Sequence, residues 1–205
     1  MDYLQRTREE FARQADSFAS SAAISDAAQV ARLVAAVGDL AGGRVLDVAC
    51  GPGIVARALA EKAREVVAFD LTPQMIEKAR ERCAKAGLSN VVFVEGSAAQ
   101  LPFTDGAFDA VVTRLSFHHF IAPERVLAEM IRVLRPGGVL TVADVVSSEN
   151  RSKAELQNAI EILRDPSHVR MLPASELLAL FSRDDLAIEL QVTRERVRQI
   201  QMESL

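Results

Sequence analysis

Two carboxylates and two glycines, spaced along a pair of apolar runs, form the set of residues in this chain best suited to hold a ligand. Val45-Leu46-Asp47-Val48-Ala49-Cys50-Gly51-Pro52-Gly53 is a short apolar run ending in a glycine-flanked turn, and Val66-Val67-Ala68-Phe69-Asp70 is a second run closing on an acid. A strand, a turn into a helix, and a second strand are the outline of a nucleotide-cradling βαβ unit. Glycines at the turn let backbone approach a ligand closely, because no Cβ intervenes. Asp70, at the tip of the second strand, is placed to accept hydrogen bonds from ribose hydroxyls.

Two kinds of ligand fit this outline. Gly51-Pro52-Gly53-Ile54-Val55-Ala56 matches G-x-G-x-x-A, the dinucleotide fingerprint, so an NAD(P)-dependent oxidoreductase is one reading. Asp47, however, lies within the strand just ahead of the turn. An anion there is a poor host for a pyrophosphate and a better one for a ligand with an amine and a positive centre. S-adenosylmethionine, with its sulfonium, α-amino group and ribose but no phosphate, is such a ligand. Asp47 could equally brace the turn by accepting backbone N–H bonds, and the two roles are compatible.

Further residues that could do chemistry follow the apolar run 108–113. Arg114, Ser116, His118 and His119 would lie beyond the carboxyl end of that strand, where ligands bind in such sheets. His118 or His119 could take a proton near neutral pH; packing or hydrogen bonding is the alternative role for each. His168 could border the same pocket or brace a loop. The chain has three histidines and no acidic or cysteine partners at ligand spacing, so no metal site is expected.

Four blocks in order resemble the class I S-adenosylmethionine-dependent methyltransferases, most closely the small-molecule branch (methyltransferase type 11) that includes ubiquinone- and menaquinone-biosynthesis enzymes. They are Val45 to Gly53, Phe69 to Met75, the pair Gly96 to Phe103 and Phe108 to Val112, and Arg132 to Leu140. The resemblance implies that Asp47, Gly51 and Gly53 hold the amino-acid end of the cofactor and Asp70 the ribose, and that Ser97 and Ala98 line the adenine. It also places Ala49, Leu71, Met75 and Arg114 along the cofactor cleft, and Arg114, His118 and His119 near the reacting groups. Ala49 stands where many members have glycine, and Ser97 and Ala99 replace two acids of the usual adenine loop. The small-molecule methyl acceptor is not named by any residue.

Composition bounds the rest. The chain has 205 residues and a net charge of −4, which argues against a broad nucleic-acid surface. Cys50 and Cys83 read as reduced thiols, which together with an N-terminus lacking an apolar core points to the cytoplasm. No apolar run approaches the ~18 residues of a membrane span.

Alternating elements predict an α/β fold: a doubly wound, mostly parallel, Rossmann-like sheet. The periodicity predicts helices over 2–20, 25–37, 54–63, from Pro73 to Gly87, 123–134, 151–164 and 174–182. It predicts strands over 44–49, 65–69, 91–94, 108–113, 139–145 and 186–192. Thr72 is expected to cap its helix with its hydroxyl. The whole chain reads as one methyltransferase domain: a helical lid over 1–38 carrying Phe11 and Phe18, a cofactor-binding core over 39–145, and an atypical cap over 146–205. Residues 193–205 read as one charged helix, so the last strand of the family's sheet is expected to be missing. Strand 139–145 would then expose an edge, to be filled by 186–192 or covered in a homodimer. The stretch Ser182 to Ile200 also resembles the helix-turn-helix of bacterial sigma factors, with Thr193 capping a helix bearing Arg194, Arg196 and Arg198. A non-catalytic cofactor- or DNA-binding regulator is therefore a third reading.

Overall fold

The computed structural model describes residues 3–22, 24–182, 186–192 and 197–204, with side chains described as far as Ser182. Helices α1 (Tyr3–Ser20) and α2 (Ala27–Val37) precede β1 (Arg44–Val48), α3 (Ile54–Ala60), β2 (Glu65–Asp70), α4 (Pro73–Lys85) and β3 (Val91–Glu95). Then come β4 (Phe108–Arg114), a short 3-10 turn Phe117–His119, α5 (Pro123–Val133), β5 (Leu134–Val145), α6 (Arg151–Arg164), α7 (Ala174–Phe181), β6 (Leu186–Val192) and β7 (Val197–Ser204).

The seven strands form one sheet in the order β3-β2-β1-β4-β5-β7-β6. The first five are parallel. The chain leaves β1 toward β2 on one side and later returns to pair β4 on the other, so the topological switch point lies between β1 and β4. Side chains of β1 alternate between two cores. Val45 joins Leu33, Leu59 and Ile76 beneath α2, α3 and α4. Leu46 and Val48 join Leu127, Met130 and Phe181 beneath α5 and α7. Parallel strands covered on both faces in this way explain the near-continuous apolar runs of the sequence.

Local signals set several boundaries. Asp26 caps α2 by accepting from Ala28 N and Gln29 N, and Asn150 caps α6 by accepting from Lys153 N. Thr72, expected to do the same for α4, makes no side-chain capping bond; Pro73 starts that helix, and the Asp70 carboxylate takes the Thr72 N–H instead. Strand β5 begins at Leu134, earlier than expected, because Pro136-Gly137-Gly138 forms a bulge rather than a separate turn. The pairing passes from Phe108 opposite Leu134 to Ala110 opposite Val139. A Cβ on Gly138 would lie 2.6 Å from Leu134 Cδ1 and 2.8 Å from Asp109 O.

The C-terminal segment corrects three expectations. Val197–Ser204 is a strand, not part of a charged helix, so the last strand is present. It runs antiparallel between β5 and β6, with Ile200 opposite both Val142 and Leu190. Leu186–Val192 consequently holds the outer place, and no vacancy beside β5 is left for a second subunit to cover. Two extended segments also replace the helix-turn-helix; Thr193, Arg194 and Arg196 of that reading lie outside the described residues. The cause is the edge of β5. An unpaired edge leaves a row of backbone donors and acceptors, and pairing satisfies them. An isolated helix of so few residues is marginal in water.

Candidate active site

A cavity of about 1430 Å³ opens beyond the carboxyl ends of β1, β2, β4 and β5, roofed by α1 and α6. Pockets for one small ligand occupy roughly 300–1,000 Å³, so there is room for two ligands side by side.

The β1–β2 side is built from backbone and two acids. Ala49 leaves β1 at φ 55, a left-handed conformation that strains a residue with a Cβ. Gly51 follows at φ 51, and a Cβ placed on it would meet nothing within 4 Å: its missing side chain leaves open space on the cavity wall. Asp70, at the end of β2, accepts from Gly51 N at 2.8 Å and from Thr72 N at 2.9 Å. Burial, only partly offset by those bonds, pushes its carboxyl up to about 6. Two carboxylate oxygens carry about four acceptor positions, so capacity remains for a ligand.

Asp47 lies deeper, 1% exposed, on the α3 face of β1. It accepts from the Ala56 N–H, while its Oδ2 is buried without a partner. Burial, with Asp70 nearby, raises its carboxyl to about 8. An unsatisfied buried carboxyl oxygen on a cavity wall is costly, and a ligand cation or N–H donor would satisfy it.

The β4–β5 side gathers all three histidines. Asp144, 2% exposed on β5, grips His118 twice: Oδ1 takes Nδ1 at 2.5 Å and Oδ2 takes the backbone N–H at 3.1 Å. The ring centroid of His119 lies 4.1 Å from that of His118, and His168 lies 5.6 Å from it. His119 meets Ser167 O and Oγ through Nδ1, and burial with the neighbouring His118 charge lowers it to about 4. Among the described residues no group of His, Cys, Asp or Glu side chains is arranged to hold a metal ion.

The N-terminal cover is anchored to this side. Arg114 donates to Ile24 O at 2.8 Å and to Gln29 Oε1 at 3.1 Å. Tyr3 Oη donates to His119 O at 2.8 Å, and Phe11 meets the His119 ring edge-on at 4.9 Å.

Residues 46–142 match the model of a family described as a methyltransferase domain. YcgJ of Bacillus subtilis, an uncharacterized methyltransferase, is 37% identical over 146 residues, 71% of this chain and 58% of that protein. Its crystal structure superposes with a TM-score of 0.79 over 86% of this chain and 98% of that one, at 25% identity. Just under half of the chain, residues 46–142, is thus similar to a methyltransferase domain. A demethylmenaquinone methyltransferase of Thermus thermophilus is 46% identical over 103 residues, 49% of this chain and 46% of that enzyme. The chain thus spans about half the length of these curated relatives.

Within this matched segment, Asp47, Ala49, Gly51, Asp70, Leu71, Met75, Ser97, Ala98, Arg114, His118 and His119 all line the same cavity. Gly53 does not. Its φ of 75 starts α3, and a Cβ there would lie 2.6 Å from Ala79 Cβ, so its task is the close approach of α3 and α4. Sequence reasoning missed Asp144, Ser147 and Ser167. Asp144 follows four apolar or small residues of a strand that ends in Asp144-Val145, and this acid at a strand's carboxyl end was the available signal.

Proposed function

We propose that this protein transfers the methyl group of S-adenosylmethionine to a small molecule. Bound there, the cofactor supplies an electrophilic methyl group on sulfur; the chain supplies its grip. Asp47 Oδ2 and the open backbone at Ala49 and Gly51 receive the amino-acid end, Asp70 and Leu71 the ribose, and Ser97 and Ala98 the adenine, with Met75 beneath. Arg114 fixes the cover above. The observation that carries this reading is Asp47: a buried, half-satisfied carboxyl on the wall of a cavity sized for two ligands. It suits an ammonium, which would pair with it as it ionises, and offers a pyrophosphate no positive charge, which weighs against a dinucleotide. The match of residues 46–142 to a methyltransferase domain supports the same reaction class. The free, buried thiols Cys50 and Cys83 support a cytoplasmic setting; among the described residues no helix is long and apolar enough to cross a membrane.

Calorimetric titration tests the proposal. S-adenosylmethionine and its product S-adenosylhomocysteine should each give a saturable one-site heat, weakened by Asp70→Ala. NADH should give none. Saturable NADH binding with no response to either adenosyl ligand would refute the reading.

A further inference from the structure

We propose that His118 is the general base of this site, held by Asp144, and that the methyl acceptor is an apolar molecule reacting through a hydroxyl oxygen. The inference rests on the methyl-transfer reading above. Hydrogen bonds assign a separate role to each histidine. Ser167 Oγ gives its own proton to Asp165 Oδ1 at 2.6 Å, so both groups facing His119 Nδ1 are acceptors and Nδ1 must donate. Asn158 Nδ2 donates to Ala154 O and Met171 O, which leaves its Oδ1 to accept from His168 Nε2 at 2.9 Å. Burial lowers both rings, which stay neutral and structural.

His118 differs. Asp144 takes its Nδ1–H and its backbone N–H, so the ring is fixed with Nε2 as the working atom. Burial alone would lower this ring, but the Asp144 charge and hydrogen bond outweigh it and hold it above 6.5. The other charged or titratable groups facing it are Asp165 and Glu161 from the α6 side and the two neighbouring histidines. Such a base matters when the attacking atom must lose a proton. Thiolates and neutral amines can attack without one; a hydroxyl is a poor nucleophile until its proton leaves. In the step, the hydroxyl proton passes to His118 Nε2 and the oxygen pair forms the O–CH₃ bond. The C–S bond pair stays on sulfur, which leaves as a neutral thioether. Leu4, Phe11, Ile160 and Met171 give the cavity its apolar lining alongside the charged Glu161 and Asp165, and the buried, unpartnered Ser147 Oγ offers one further hydrogen bond.

Two readouts test this. In ¹⁵N-histidine NMR of the ligand-free protein, one ring should titrate above 6.5 with Nδ1 protonated throughout. His118→Gln should remove that signal, and Asp144→Asn should move its inflection down further than those of the other two rings, which Asp144 reaches only through space. In the second, protein with S-adenosylmethionine is given 2-naphthol or 2-naphthylamine and methylated product is measured by mass spectrometry. Naphthol should be methylated at least about tenfold faster than the amine. Asp144→Asn and His118→Gln should each lose roughly 10²–10⁴-fold of that rate, with S-adenosylhomocysteine affinity retained. An inflection unmoved by Asp144→Asn, an amine rate equal to the naphthol rate, or no methylated naphthol with cofactor bound overturns the inference. Failure of the cofactor to bind overturns the methyl-transfer reading instead, while the NMR arm still reports on His118.

Discussion

Replacing Asp47 by asparagine should stabilise the ligand-free protein, and by an amount that grows with pH. The unfolded carboxyl titrates near 3.8 and the folded one at about 8. Between these values the native chain holds a proton that the unfolded chain has released, so stability falls as pH rises. Below 3.8 both states are protonated and the cost vanishes; above about 8 both are ionised and the full cost stands. That interval corresponds to about 6 kcal/mol, comparable with the roughly 5–15 kcal/mol by which whole domains are stable. The amide introduced by Asp47→Asn would keep an oxygen for the Ala56 N–H and never acquire the charge. The variant's advantage over the parent chain should be on the order of 2 kcal/mol at pH 5, about 4 kcal/mol at pH 7 and about 6 kcal/mol at pH 9. Urea unfolding of both proteins at the three pH values reads this directly, because titrations common to both cancel in the difference. The same substitution should weaken S-adenosylmethionine, since an amide cannot become the counter-charge of an ammonium. An advantage for Asp47→Asn that is constant from pH 5 to pH 9 would refute the burial argument, and with it the account of why this carboxyl awaits a cation.

Other outcomes follow from backbone geometry and from the cover. Gly53→Ala should cost about 2–3 kcal/mol or more in urea unfolding, because a Cβ there meets Ala79 Cβ at 2.6 Å and φ is 75. Gly51→Ala, with nothing within 4 Å, should cost only about 1 kcal/mol while weakening cofactor binding in calorimetry. Ala49→Gly relieves a left-handed alanine at φ 55 and should be neutral to about 1 kcal/mol stabilising. Arg114→Leu cuts the ties to Ile24 O and Gln29 Oε1, and should speed proteolysis between α1 and α2 while leaving the sheet's exchange protection intact.

The parallel sheet was legible because its strands are buried on both faces and therefore read as unbroken apolar runs bounded by glycine and proline. Val45 to Gly53 shows this best: local sequence dictates strand, turn and helix start with no help from distant residues. Two things were not legible. Val197–Ser204 has a weak pattern of its own, and its strand character comes from the waiting edge of β5, a tertiary demand no local window contains. The Asp144–His118 pair joins residues 26 positions apart on different elements, and becomes visible only when β4 and β5 lie side by side. Gly53 differs in another way: a glycine in a ligand motif also serves helix packing, through a close approach to Ala79 that local sequence does not reveal.

The strained non-glycine backbone and the least favourably buried carboxyl fall in one place. Ala49 and Leu115 are the two non-glycine residues with positive φ among the described residues, and they sit just past the ends of β1 and β4. Asp47 lies near the end of β1 with an unsatisfied buried oxygen, and the crowded His118 and His119 follow β4. None of these improves stability: left-handed residues cost about 1–2 kcal/mol each, and a buried carboxyl lowers stability as pH rises. Elsewhere the same strands obey the rules, with Val45, Leu46, Val48, Val111 and Val112 fully buried in well-filled cores. Strain scattered at random would not flank the switch point of the sheet on both sides. Its concentration there means that the two cores supply a stability surplus, and that the β1–β4 crevice, where a donor and an acceptor would meet, is where it is spent.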